Sequence, residues 1–202
     1  MKPAVMTIPR FERISFLIHG FGNAAWTAKS FGQREEWRDF ALLFLRQVHS
    51  DVVRFIENVP GRSLRGDAMI THRPGIFLVV KTADCLPALL VDEGNRVIAA
   101  VHCGWKGTRL RLLQRVVRSM AEYSGSDPSR LLAAFGPCIG GGCYEVGEDI
   151  RRDFRESGFP DSLFFPHPGR RRKYFFDLRE ANRQQLIQAG VGAKRIFSVD
   201  VC

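Results

Sequence analysis

The stretch LPALLVDEGNRVIAAVHCGW, residues 86–105, decides the centre of the fold. Two apolar runs, LPALLV and VIAAVH, flank DEGN, and apolar runs joined by a short turn of this composition predict a β-hairpin. Antiparallel partners joined by a short turn bring the residues at their open ends side by side. Cys85 comes directly before the first run, and His102 ends the second. We therefore predict that Cys85 and His102 lie close together in space.

The remaining patterns predict strands mixed with helices. Strand-like apolar runs occur at residues 13–22, 52–57, 69–71, 75–84, 131–139, 173–178 and 196–201. Helical spacing occurs at 35–48, at 146–156, at 179–190 and beyond Gly107, where Thr108 is a plausible N-cap and Gly125 a stop. Hairpins combined with strand–helix units indicate an α+β fold, a layered sandwich of mixed β-sheet with packed helices.

Length and composition predict one domain over residues 1–202. The chain has 202 residues, of which 45% are hydrophobic, enough for a core of that size. No apolar stretch reaches the roughly 20 residues that span a bilayer, and the start lacks the apolar centre of a signal peptide. We expect a cytoplasmic protein with no membrane partner. Its five cysteines, an odd number, argue for reduced thiols instead of a disulfide framework.

The charge balance favours anionic partners. The chain has 30 Lys and Arg residues and 21 Asp and Glu residues, which gives a formal net charge of +9. The basic residues are scattered, and the densest run, Arg170 to Lys173, lacks any zinc-finger, recognition-helix or aromatic RNA-binding signature. A solvated loop is the first interpretation of this run and a phosphate or nucleotide contact the second, while nucleic acid is not the expected partner.

Three side chains form a candidate metal site: His49 in QVHS, Cys85 in TADC and His102 in VHCGW. One thiolate and two imidazoles suit zinc, and catalytic zinc sites use three protein ligands and leave a position to water or substrate. The structural alternative is a buried thiol and histidines that bond carbonyl groups. Each residue ends an apolar run beside small or turn-forming residues, which favours a site.

The glycine-rich segment IGGGC is a second candidate site. Gly140 and Gly141 would let backbone N–H groups approach a phosphate closely. The segment matches neither GxGxxG nor GxxxxGK[ST], so a flexible turn is an equal alternative.

Six motifs in order carry a family resemblance: QVHS, GDAMIT, TADCLPALL, AAVHCGWKGT, GPCIGGGCYEVGED and DLREANRQQLIQAGV. From about His19 to Cys202 the chain resembles the bacterial purine nucleoside phosphorylase family formerly described as laccase-like (multicopper) polyphenol oxidases. The resemblance implies a layered fold of helices and mixed sheet. It also implies cleavage of adenosine, inosine, guanosine or methylthioadenosine by inorganic phosphate, adenosine deamination as a companion activity, and zinc on His49, Cys85 and His102.

Phosphorolysis requires a cationic clamp for phosphate and charge stabilisation as the purine departs. Lys106 and Arg109, just after His102, suit these roles, with a solvated helix start as the alternative. Asp84 could orient a ligand or transfer a proton, or bond only the backbone.

The chain departs from the family pattern in three places. Lys106 stands where the family usually has Arg, which keeps the charge but loses bidentate geometry. Gly141 and Gly142 replace a usual Pro and Cys. The chain also ends before an arginine-bearing segment, so we expect a laccase-like purine nucleoside phosphorylase domain without that C-terminal part.

Three other functions compete with the zinc phosphorylase. A metal-free cysteine hydrolase would use Cys85 as nucleophile and His102 as base. Copper oxidation of phenols follows from the older family description, but five histidines are too few for a laccase cluster. A catalytically inactive protein that binds purine or metal is the third.

Overall fold

The computed structural model describes residues 4–26 and 35–202. Within these ranges the strands are β1 Val5–Met6, β2 Phe21–Gly22, β3 Ala41–Phe44, β4 Val53–Phe55, β5 Ala68–Thr71, β6 Ile76–Val79, β7 Leu86–Asp92, β8 Val97–Cys103, β9 Leu132–Phe135, β10 Glu145–Gly147, β11 Phe164–Pro166, β12 Lys173–Phe176 and β13 Ile196–Ser198. The α-helices are α1 Pro9–Glu12, α2 Trp105–Arg109, α3 Leu112–Ser124, α4 Glu148–Glu156 and α5 Leu178–Gln188.

A six-stranded sheet in the order β13-β9-β7-β8-β5-β4 forms the centre of the fold. The predicted hairpin is confirmed: β7 and β8 are antiparallel, with Leu86 opposite Cys103 and Asp92 opposite Val97. The β4–β5 and β9–β13 pairs are parallel, so the sheet is mixed. The α+β fold class, a mixed sheet with packed helices, is thereby confirmed.

Both faces of the central sheet are covered, because alternate side chains of each strand point to opposite sides. On one face Leu86, Ala88 and Leu90 belong to the large core that includes the apolar side of α3. On the other face Val91 packs with Phe11 and the rest of the N-terminal segment. Strands buried on both faces read as continuous apolar runs, which is the pattern of residues 86–91.

The helix predicted over residues 35–48 is wrong. Glu35–Trp37 forms a single 3₁₀ turn, and Ala41–Phe44 is the strand β3, which pairs in parallel with β6. Leu43 and Leu45 are buried in a third apolar cluster, at the two-residue spacing of a strand. A short apolar run fits both periods, and pairing with β6 decides between them.

The helix after β8 begins differently from the prediction. Thr108 lies inside the short helix α2, and its buried hydroxyl accepts a hydrogen bond from Asn182 Nδ2 at 2.9 Å instead of capping. The longer helix α3 starts after Arg111, whose φ is 63°. The predicted stop at Gly125 is confirmed, since this residue caps α3 with φ 66°. Among the described residues no helix is long and apolar enough to cross a membrane.

Candidate metal centre

The open end of the β7–β8 hairpin brings His49, Cys85 and His102 together, as the sequence predicts. Their ligand atoms all lie within 4.8 Å of one another. Cys85 Sγ is 3.9 Å from His49 Nε2, and the two imidazole rings meet edge to face with centroids 4.8 Å apart. Two nitrogens and one sulfur at this spacing could hold a metal ion.

His102 is buried and orients its ring through Asp67. Its Nδ1 lies 2.9 Å from Asp67 Oδ1, across the β5–β8 pair. Because Nδ1 is occupied in this way, Nε2 is the nitrogen available as a ligand, the arrangement common to metal-binding histidines. Burial alone would lower the pKa of His102, but the hydrogen bond to Asp67 and the adjacent Cys85 outweigh burial and raise the pKa to about 9.

The same carboxylate holds the loop that carries His49. Asp67 accepts hydrogen bonds from the backbone N–H groups of Val48, His49 and Ser50, at 3.2, 3.0 and 2.7 Å, and from Ser50 Oγ at 2.6 Å. These bonds keep His49 at its positive φ of 57°. Burial would raise the pKa of the Asp67 carboxyl, but the bonds from His102 and Ser50 lower it well below its ordinary value.

Two glycines after His102 leave room for the site. A Cβ at Gly104 would lie 2.7 Å from His49 Cδ2 and 3.2 Å from Cys85 Sγ. A Cβ at Gly107 would lie 2.8 Å from the Ser50 carbonyl oxygen. The contacts at 2.7 and 2.8 Å are shorter than real Cβ contacts. Sequence reasoning missed Asp67 and Gly104 as site residues. The available signals were a charged residue opening the apolar strand β5 and two glycines around Trp105.

The other predicted site residues are Asp84, Lys106 and Arg109, each of which lies close in sequence to a candidate ligand. Asp84 is exposed beside Cys85, and its carbonyl oxygen accepts from Ile139 N at 3.0 Å. Lys106 is exposed in α2, with Nζ 5.5 Å from the Trp105 ring centroid. Arg109 points to α4, where its guanidinium lies 3.7 Å from Asp153.

The glycine-rich loop lies next to the strand end that carries Cys85, through the Ile139–Asp84 bond. Gly140 N donates to Cys202 Sγ at 3.2 Å. A Cβ at Gly141 would lie 3.2 Å from the Asp177 carboxylate. A carboxylate this close would repel a bound phosphate. The phosphate cradle at Gly140 and Gly141 therefore stays a prediction.

The donor set fits a metal ion. A thiolate and two imidazoles suit zinc and other metals that accept soft ligands. His102 is buried, Cys85 is half-buried and His49 is exposed, so the group opens to one side. Three ligands with an open side are typical of catalytic sites.

Comparison with known proteins shows the family of this chain. Residues 23–202 match the family described as multi-copper polyphenol oxidoreductase laccase. A purine nucleoside phosphorylase from Deinococcus radiodurans is 44% identical over 154 residues, which cover 76% of this chain and 57% of the relative. Adenosine deaminase RL5, from an unknown prokaryotic organism, is 35% identical over 170 residues, which cover 80% of this chain and 64% of the relative.

A solved structure shares the fold. The hypothetical protein YfiH of Bacillus licheniformis superposes with a TM-score of 0.80 at 24% identity, covering 98% of this chain and 79% of that one. The chain spans less than two thirds of the length of both curated relatives. The chain belongs to the family described as multi-copper polyphenol oxidoreductase laccase, whose model matches residues 23–202.

Proposed function

We propose that this chain is a zinc-dependent purine nucleoside phosphorylase with adenosine deaminase activity as a companion. Its substrates would be adenosine, inosine, guanosine or methylthioadenosine together with inorganic phosphate, in the cytoplasm. The observation that carries the proposal is the convergence of His49, Cys85 and His102 within 4.8 Å. The names of the relatives, purine nucleoside phosphorylase and adenosine deaminase, support the two reactions.

His49, Cys85 and His102 would hold the zinc ion, which supplies Lewis-acid polarisation of a substrate or water oxygen. Asp67 keeps Nδ1 of His102 hydrogen-bonded, so that Nε2 stays available and correctly directed. The same carboxylate fixes the backbone at His49. The His102 ring and the backbone at His49 are therefore held in place before any ligand binds.

Phosphorolysis forms a bond from a phosphate oxygen to the anomeric carbon of the ribose and breaks the bond from that carbon to the purine nitrogen. Lys106 is exposed in the helix that follows His102, and its ammonium is the cation proposed to contact phosphate. Arg109 would join it only after leaving Asp153. Asp84 is exposed beside Cys85 and would serve in proton transfer to the departing purine.

A metal-free cysteine hydrolase is the second candidate, and one observation favours it. The Asp67–His102 hydrogen bond orients an imidazole beside the Cys85 thiol, which is the logic of a nucleophile, base and orienting acid. Such an enzyme would keep its activity after treatment with a chelator, whereas the zinc enzyme would lose it.

The test is chromatographic analysis of products after incubation of the zinc-loaded chain with adenosine, with and without phosphate. Cys85→Ala is the test variant and Cys202→Ser, under reducing conditions, the matched control. Adenine that appears only with phosphate supports the phosphorylase. Inosine without adenine leaves only the deaminase, and no product from folded, zinc-loaded protein contradicts both reactions and favours a purine- or metal-binding protein.

A further inference from the structure

Two cysteines outside the metal group meet across the fold. Cys143 closes the glycine-rich loop, and Cys202 lies 59 positions later in sequence. Their sulfur atoms are 3.3 Å apart. Both thiols are free and both residues are exposed. Neither belongs to the candidate metal centre.

Hydrogen bonds from backbone N–H groups hold the segments that carry the two thiols. Cys138 N donates to the Val201 carbonyl oxygen at 3.3 Å, and Gly140 N donates to Cys202 Sγ at 3.2 Å. A disulfide requires the sulfurs at about 2 Å, so they must approach by roughly 1 Å.

Arg179 secures the C-terminal segment from the side of α5. Its guanidinium donates to Asp200 Oδ1 at 2.6 Å and to the carbonyl oxygens of Val199 and Val201, each at 3.5 Å. Cys202 is therefore kept against the loop by contacts that do not involve its own sulfur.

The two thiols differ in their environments. The hydrogen bond from Gly140 N, a further bond with Cys143 and the positive charge of Arg179 lower the pKa of Cys202. The same contact with Cys202 raises the pKa of Cys143. A cysteine whose thiol pKa is lowered, next to one whose thiol pKa is raised, is the arrangement of a reactive cysteine with a resolving partner.

We propose that Cys202 and Cys143 form a redox-active dithiol whose oxidant is a hydroperoxide. The Cys202 thiolate attacks a peroxide oxygen, the O–O bond breaks, and Cys202 becomes a sulfenic acid while hydroxide leaves and takes up a proton. The Cys143 sulfur then attacks the Cys202 sulfur, and the sulfenic hydroxyl leaves with the Cys143 proton as water. Two thiols are oxidised to one disulfide, and hydrogen peroxide is reduced to water.

This disulfide would tie the glycine-rich loop to the segment 199–202. Ile139 in that loop already donates to the carbonyl oxygen of Asp84, the residue before Cys85. Oxidation would therefore restrain a loop that touches the edge of the metal centre, without using a metal ligand.

The test treats the reduced, full chain with an equimolar amount of hydrogen peroxide, alkylates the remaining thiols and digests the unreduced protein with trypsin. Cleavage after Lys and Arg separates residues 82–96, 97–106, 131–151 and 196–202, which carry Cys85, Cys103, the Cys138 and Cys143 pair, and Cys202. We expect peptide 131–151, alkylated at Cys138, joined to 196–202 at a mass two hydrogens below the sum of the two peptides, and reversal by a dithiol reductant.

Two variants and one direct measurement assign the bond. Cys143→Ser should reduce the joined peptide at least tenfold and leave Cys202 singly oxidised, while Cys138→Ala should keep the joined peptide. Fragmentation of the wild-type joined peptide locates the bond at Cys143 even if a variant fails to fold. A bond to Cys138 or an intermolecular bond would overturn the proposal. So would alkylation of both Cys143 and Cys202, which would show that peroxide left them reduced, together with oxidation of Cys85.

Discussion

Asp67 Oδ1 lies 2.9 Å from His102 Nδ1, and both side chains are almost fully buried. The same carboxylate accepts the backbone N–H of His49, so one side chain positions two of the three candidate metal ligands. These ligands come from different elements, the strand β8 and the loop before β4. A buried carboxylate with this many donors is satisfied only when both elements are in place.

Asp67→Asn should weaken metal binding by about 10- to 100-fold, because the orienting charge on His102 is lost. It should also lower the free energy of unfolding by about 1–3 kcal/mol, since an amide cannot accept all of the buried donors. Competition with a chelator and urea denaturation measure the two effects. Asp127→Asn is the control, because Asn caps the Pro128–Arg130 turn as well as Asp does. Unchanged metal affinity in Asp67→Asn would contradict the orienting role.

Gly104→Ala should displace the His49 ring, since the new Cβ would lie 2.7 Å from its Cδ2. We expect at least a tenfold loss of metal affinity in a chain that still folds, as judged by circular dichroism and metal titration. Gly61→Ala is the matched control, because a Cβ there meets nothing within 4 Å. Equal affinity in both variants would show that the glycine is not required by the site.

The metal-free chain should lose stability as pH rises from about 6.5 to above 9. The pKa of His102 is raised from 6.5 to about 9 in the folded state, so the folded chain binds its proton more tightly than the unfolded chain does. That stabilisation is fully present below pH 6.5 and is gone above pH 9. Metal needs the neutral imidazole, so metal affinity should rise across the same window. Urea denaturation and chelator competition at several pH values measure both trends, and Asp67→Asn should flatten them.

Lys106→Ala should raise the KM for phosphate at least tenfold and leave metal content unchanged, because the exposed ammonium proposed to contact phosphate is lost. Lys106→Arg should restore phosphate binding, since it returns a cation to the same position. Phosphate-dependent release of adenine measures the effect. Arg118→Ala, on α3, removes a charge outside the site and is the control. An unchanged KM in Lys106→Ala would remove this residue from the proposed phosphate contact.

Local patterns in the sequence determined the central hairpin, the α+β class and the three candidate ligands. The DEGN turn and its apolar flanks act between residues close in sequence, so local chemistry alone places Cys85 and His102 together. The motif around His49 indicates a ligand type. Its position beside the other two ligands does not follow from the residues around it.

Tertiary structure decided the remaining features, because they depend on partners distant in sequence. Residues 41–44 are a strand only because β6 is there to pair with them. Asp67 binds donors 17 to 35 positions away, and Cys143 meets Cys202 across 59 positions. Periodicity and turn chemistry describe neighbours along the chain. The carboxylate that orients the ligands and the pair of thiols arise from packing between segments that the chain itself keeps far apart.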